Sequence, residues 1–211
     1  MSTFGNINIE VNNQVYVIAE DIIRRYADFW GLNRLIPNRY SCLFVAKLMV
    51  NERFGCITPD EVLYEVMALE GKRTSTTKTE TMFERQPLKG FYHKHFFYSH
   101  PSAWATNTLN ELGKHGLRSL VEDVFNPTKA DKVTEAMIEE MSHRLTTEPL
   151  ESRHAKGKLT GEWIIFTKHD FANYYLDICS HKAGDENIAS NLKSICTFEF
   201  PFVGELLNSR P

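Results

Sequence analysis

The sequence predicts an α+β fold, mainly helical, with a small antiparallel sheet and a C-terminal β-hairpin followed by a helix. Three observations predict it. Apolar residues recur at helical spacing through much of the first two thirds of the chain. Alternating apolar and polar residues mark strands near the N-terminus, around Lys94 and after Gly161. Strands and helices do not alternate regularly, as βαβ units would require. The 211 residues fit a single domain over 1–211. A candidate sub-boundary near residues 146–160 separates a helical N-terminal part from a C-terminal hairpin–helix unit.

Each element has a local reason. In "INIEVNNQVYVI", Ile7, Ile9 and Val11 alternate, then Val15 and Val17, around the pair Asn12-Asn13. Asparagine tolerates positive φ, so this reads as a hairpin. "AEDIIRRYADFWG" reads as a helix that Gly31 ends. Tyr40 to Phe54 is a largely buried helix stopped at Gly55, and "TPDE" at Thr58 to Glu61 is a capping box that opens a third helix. Lys72 to Met82, "KRTSTTKTETM", has five threonines, three basic residues and no apolar face. It reads as an exposed loop whose hydroxyls and cations could line a phosphate path. A strand over residues 91–98 follows, then helices from His100 and from Leu117. Thr128 to Leu145 is expected as one amphipathic helix on Val133, Met137, Met141 and Leu145. "TTEPLESRHAKGKLTG" reads as a polar connection. "EWIIFTKH" and "NYYLDICSH" are expected as two strands around the turn "DFAN", followed by a helix from about Asp185.

Composition narrows the function classes. The formal charge is −3, so the global basic field of a stand-alone duplex-DNA binder is missing. Cys42, Cys56, Cys179 and Cys196 form no C-x-x-C pair and sit in apolar or β-type contexts, which suits reduced core thiols. The first residues show no signal-peptide pattern and no stretch is long and apolar enough to span a bilayer. A cytoplasmic protein with no membrane partner is the expectation. No Gly-rich phosphate loop, G-x-S-x-G elbow or cofactor motif is present, and no cofactor is expected.

The most chemical stretch is "GFYHKHFF", Gly90 to Phe97. On a strand, His93 and His95 share one side, while Tyr92, Lys94 and Phe96 take the other. Two imidazoles on one side suit paired acid–base chemistry. One group takes the proton of a ribose 2′-hydroxyl, the other protonates the leaving 5′-oxygen, and a cation holds the phosphate. Lys168 or Lys89 is the expected phosphate ligand, because Lys94 faces away from the histidines. His169, at the mouth of the second hairpin, is the auxiliary group, whereas His181 lies far along the second strand. A His-x-His pair also supplies two metal ligands, but no residue pattern identifies a third, so no metal is assigned. The bland reading of the histidines, as structural members of an aromatic strand, stands ahead of the catalytic one, and the strand's aromatics with Lys89 and Lys94 could stack RNA bases.

"GEWIIFTKHDFANYYLDICSH", Gly161 to His181, resembles the terminal hairpin of small bacterial and phage ribonuclease toxins of the barnase, EndoU, colicin and RelE-like group. "LKGFYHKHFF" is similar to histidine-bearing segments of phage-associated members. The resemblance covers about a third of the chain, and no diagnostic signature is complete. It implies metal-free RNA cleavage in a toxin–antitoxin or phage-related system, with RNA and an antitoxin or target protein as partners. The acidic balance departs from the basic character of many such toxins. The alternative expectation is a non-enzymatic phage or mobile-element factor. Its acidic helix around Glu135, Glu139 and Glu140 would meet a basic partner.

Overall fold

Among the described residues, two antiparallel sheets, one of two strands and one of four, organise the chain. The computed structural model describes residues 5–11, 14–55, 57–75, 77–97, 101–156, 162–180 and 183–208. The small sheet pairs β1 (Asn6–Val11) with β2 (Gln14–Ala19). Ile7, Ile9 and Ile18 face the core, and Val15 and Val17 face outward. The expected Asn12-Asn13 turn lies outside the described residues.

Helix α1 (Glu20–Phe29) buries Ile23 and Ala27. Gly31, at φ 71°, then turns the chain straight into the short α2 (Leu32–Leu35). Helix α3 (Cys42–Arg53) is the centre of the fold, with every residue from Cys42 to Leu48 buried. Even Lys47 is buried there, because its ammonium meets the Asp177 carboxylate at 2.7 Å. Helix α4 (Pro59–Leu69) begins at the expected capping box, where Glu61 Oε2 accepts the Thr58 N–H at 3.5 Å.

The larger sheet runs β3 (Thr81–Met82), β4 (Tyr92–Phe96), β5 (Glu162–His169), β6 (Ala172–Cys179). Asp170 and Phe171 alone link β5 to β6, both at positive φ (47° and 62°), so the predicted turn is a two-residue hairpin loop. A bulge between Ile165 and Phe166 shifts the register of β6. The outer edge of β6 is not open. Tyr175 N–H donates to the Arg39 carbonyl at 2.8 Å and Ser41 N–H to the Tyr175 carbonyl at 2.9 Å. This short pairing covers an edge that would otherwise present unpaired amides.

Between β4 and β5 the chain inserts helices α5 (Pro101–Leu112), α6 (Gly116–Val124), α7 (Glu135–Thr146) and α8 (Glu148–Ala155). After β6 come α9 (Asp185–Asn191), a π-helical turn (Leu192–Cys196), the short α10 (Thr197–Glu199) and α11 (Pro201–Asn208). The result is an α+β fold.

Three local expectations change. The helix expected from Thr128 starts at Glu135, because Thr134 is the residue whose hydroxyl accepts the Met137 N–H. Thr128 instead closes a turn onto Asn126 Oδ1. The polar connection holds α8, with Pro149 in its first turn, where a missing N–H is harmless, and Arg153 buried against α5. The Thr-rich loop is not wholly solvated: Thr77 is buried and Thr81–Met82 joins the sheet. Cys42, Cys179 and Cys196 are buried and free, and Cys56 lies outside the described residues.

Candidate functional site

Strand β4 carries different chemistry on its two sides. Its register with β5 sets Tyr92 opposite Phe166, His93 opposite Ile165, Lys94 opposite Ile164 and His95 opposite Trp163. Directly opposed residues share a side of an antiparallel sheet. His93 and His95 therefore lie with Trp163 and Ile165, and Tyr92, Lys94 and Phe96 lie with Ile164 and Phe166.

On the histidine side, the two imidazole rings meet edge to face with centroids 5.6 Å apart. Trp163 lies 4.6 Å from the His93 ring, and Phe83, just after β3, lies 4.9 Å from it on the strand's outer flank. His93 is half-buried and His95 is 6% exposed. Such packing fixes both rings in orientation.

On the other side, Lys94 is enclosed, at 2% exposure. Its ammonium donates to Ser75 Oγ at 2.7 Å, to Thr77 Oγ1 at 2.8 Å and to the Lys78 carbonyl, and it lies 3.2 Å from Glu65 Oε2. Ser75 Oγ donates in turn to Glu65 at 2.7 Å, and Thr77 Oγ1 to the His95 carbonyl at 2.7 Å. Burial pushes the Lys94 ammonium below its ordinary value, against the opposing pull of Glu65. Beside this network is a cavity of about 160 Å³ walled by Glu61, Tyr64, Glu65, Arg73, Phe97 and His154.

The predicted site residues are thus only partly assembled. His93 and His95 come together. His169 does not join them: it lies four residues along β5 from Ile165, roughly 13 Å at the strand rise. Its ring instead stacks on Phe202 of α11, with centroids 3.9 Å apart. Lys168 is exposed on the Lys94 side, 4.8 Å above the Tyr92 ring and 3.5 Å from Glu80. Lys89 is exposed in the turn that leads into β4. The far end of β6, Cys179, stands opposite Trp163 and so reaches the His95 end of the sheet. His100 and His181 lie outside the described residues.

Sequence reading missed the partners of Lys94. One signal was present: Glu65 falls on the inward stripe of α4 with Val62 and Val66, where an acidic residue needs a cation. Lys47, inside the apolar run "LFVAKLMV", carries the same signal.

Among the described residues, no group of three or more His, Cys, Asp or Glu is placed to hold a metal ion, and no helix is long and apolar enough to cross a membrane. Comparison with protein-family models, with curated proteins and with solved structures yields no match.

Proposed function

We propose that the protein is a metal-independent ribonuclease in which His93 and His95 divide the acid–base work. The observation that carries this reading is the pair of imidazoles on one strand side, 5.6 Å apart and held by Trp163. A neutral imidazole takes the 2′-hydroxyl proton as that oxygen attacks the phosphorus. A protonated one gives its proton to the departing 5′-oxygen, leaving a 2′,3′-cyclic phosphate and a free 5′-hydroxyl. Lys94 acts in this scheme by positioning, since its ammonium is enclosed and Thr77 ties it to the backbone of His95. Lys89, exposed on the approach to β4, is the cation this reading assigns to the phosphate.

Purified protein incubated with total RNA and with tRNA, in excess chelator, tests the reading. Cleavage should persist with chelator, follow a bell-shaped pH profile and fall about 100-fold or more in His93→Ala/His95→Ala. Absence of cleavage by a folded protein, or equal cleavage by the double variant, overturns it.

A second reading rests on a different observation. Helix α7 has no buried residue, and Glu135, Glu139, Glu140 and the apolar Ile138 all face outward. A surface of that kind suits a non-enzymatic factor that docks a basic partner protein. It becomes the working function if RNA is left intact.

A further inference from the structure

Ser75, in the threonine-rich segment after α4, plays no part in the histidine reading, yet its hydroxyl is set in unusual company. Its oxygen accepts from the Lys94 ammonium at 2.7 Å and from the Thr77 backbone N–H at 3.2 Å. Its proton has Glu65 Oε2 as the nearer acceptor, at 2.7 Å, and the Thr77 carbonyl as the next, at 3.3 Å. Two donors on the oxygen and a carboxylate on the proton polarise the O–H bond toward an alkoxide. An activated nucleophile has this arrangement: a base takes the proton, and a neighbouring cation stabilises the charge left behind.

The groups around this hydroxyl come from different elements and are held in place. Glu65 belongs to α4 and Lys94 to β4, and both are buried, at 4% and 2% exposure. Their charges lie 3.2 Å apart. Thr77 Oγ1 and the Lys78 carbonyl also accept from the ammonium, so Lys94 serves as a cation and Glu65 is the base. Replacing a buried ion pair by apolar residues of similar volume is often neutral or stabilising, so stability alone does not account for one at this place. Ser75 is half-buried and follows the exposed Thr74, so the network comes nearest to solvent at the serine.

Space for a reactant adjoins it. Glu65 and Thr74 both belong to the wall of the cavity of about 160 Å³, which places that cavity next to Ser75. Phe97 and Tyr64 supply apolar surface, and the Arg73 guanidinium lies 4.1 Å over the Tyr64 ring. The volume is well below the ~300–1,000 Å³ of pockets for drug-sized ligands, so the group it accepts is short. A polarised hydroxyl, a buried base, a buried cation and a small cavity thus coincide in one place.

We propose that Ser75 is a nucleophile toward short-chain acyl esters, with Glu65 as its general base and Lys94 as the cation that stabilises the attacking oxygen. Ser75 Oγ bonds to the ester carbonyl carbon while its proton passes to Glu65. The bond from that carbon to the alcohol oxygen breaks, and Glu65 hands the proton to the departing oxygen. Water then attacks the acyl-serine and gives a proton to Glu65. Ser75 Oγ leaves, takes that proton back, and the carboxylic acid is released. The sum is ester plus water to acid plus alcohol, with no change of oxidation state. The imidazoles of His93 and His95 lie on the other side of β4, so the inference does not rest on RNA cleavage.

An alkyl fluorophosphonate and p-nitrophenyl acetate are the probes, used on the full chain. Peptide mass mapping after fluorophosphonate treatment should place a single label on Ser75, a result that needs no variant. The acetate should be hydrolysed faster than in buffer alone. Ser75→Ala leaves Lys94 its contacts with Glu65, Thr77 and Lys78, and should keep its circular dichroism spectrum while losing the label and slowing hydrolysis about 100-fold. Glu65→Gln keeps a carbonyl toward Lys94 but no base, and should slow both labelling and hydrolysis by a similar factor. Absence of the label, a label on another residue, or hydrolysis unchanged in Ser75→Ala overturns the proposal.

Discussion

Glu70 shows how single residues hold this fold together. Arg39 grips its carboxylate with two nitrogens, at 3.0 and 2.6 Å, while the Tyr175 hydroxyl donates at 2.8 Å and Asn173 at 3.2 Å. The end of α4, the chain before α3 and strand β6 are thereby joined at one carboxylate. Burial alone would raise the Glu70 carboxyl, but the bonds from Arg39, Tyr175 and Asn173 outweigh it and hold it below its usual value. A carboxylate lowered in the folded state stabilises above its unfolded pKa of about 4.3, and that stability is lost as pH falls through the folded value. Glu70→Gln should therefore be less stable than wild type at pH 7, with the gap in urea midpoint closing below about pH 4. A gap independent of pH would show that the amide fails for reasons of shape, not charge. None of this was legible in the sequence, because Arg39 and Glu70 are 31 positions apart and Glu70 and Tyr175 are 105.

At the scale of elements, α3 depends on its start. Ser41 Oγ accepts the Phe44 N–H at 3.0 Å and donates to the Leu176 carbonyl at 2.6 Å, so one hydroxyl caps the helix and pins it to β6. Ser41→Ala removes the cap and leaves a buried carbonyl without its hydroxyl donor. The expected loss is about 2 kcal/mol by urea unfolding, and a loss below about 0.5 kcal/mol would refute the double role. The capping box of α4 and the hairpin loop of β5–β6 were readable in advance, since both are set by residues within a few positions. The start of α7 was misread for a related reason. Val133, Met137, Met141 and Leu145 keep a four-residue period, yet Val133 lies before the helix and is 64% exposed. Periodicity alone does not distinguish a helical residue from a neighbour that happens to continue the spacing; the cap at Thr134 does.

Across the whole molecule, burial is uneven, and stability should follow it. Helix α3 and the paired strands β5 and β6 lie in the core, whereas α7 buries nothing. Amide exchange should be slowest in Leu43–Leu48 and Ile164–Phe166, through global unfolding. It should be fast in α7, through local opening; equal protection in both would contradict a helix that buries no residue fully. Helical periodicity, alternation and turn residues are local properties, which is why the sequence by itself determined the α+β class, the main helices and strands, and the placing of two histidines on one side of β4. Only the tertiary structure decided the company each side chain keeps. It put Lys94 in the grasp of Glu65 and the Thr-rich loop, carried His169 to Phe202, and brought Glu199 across 157 positions to the start of α3. Such pairings follow from strand register and helix packing in three dimensions, which no period along the chain encodes.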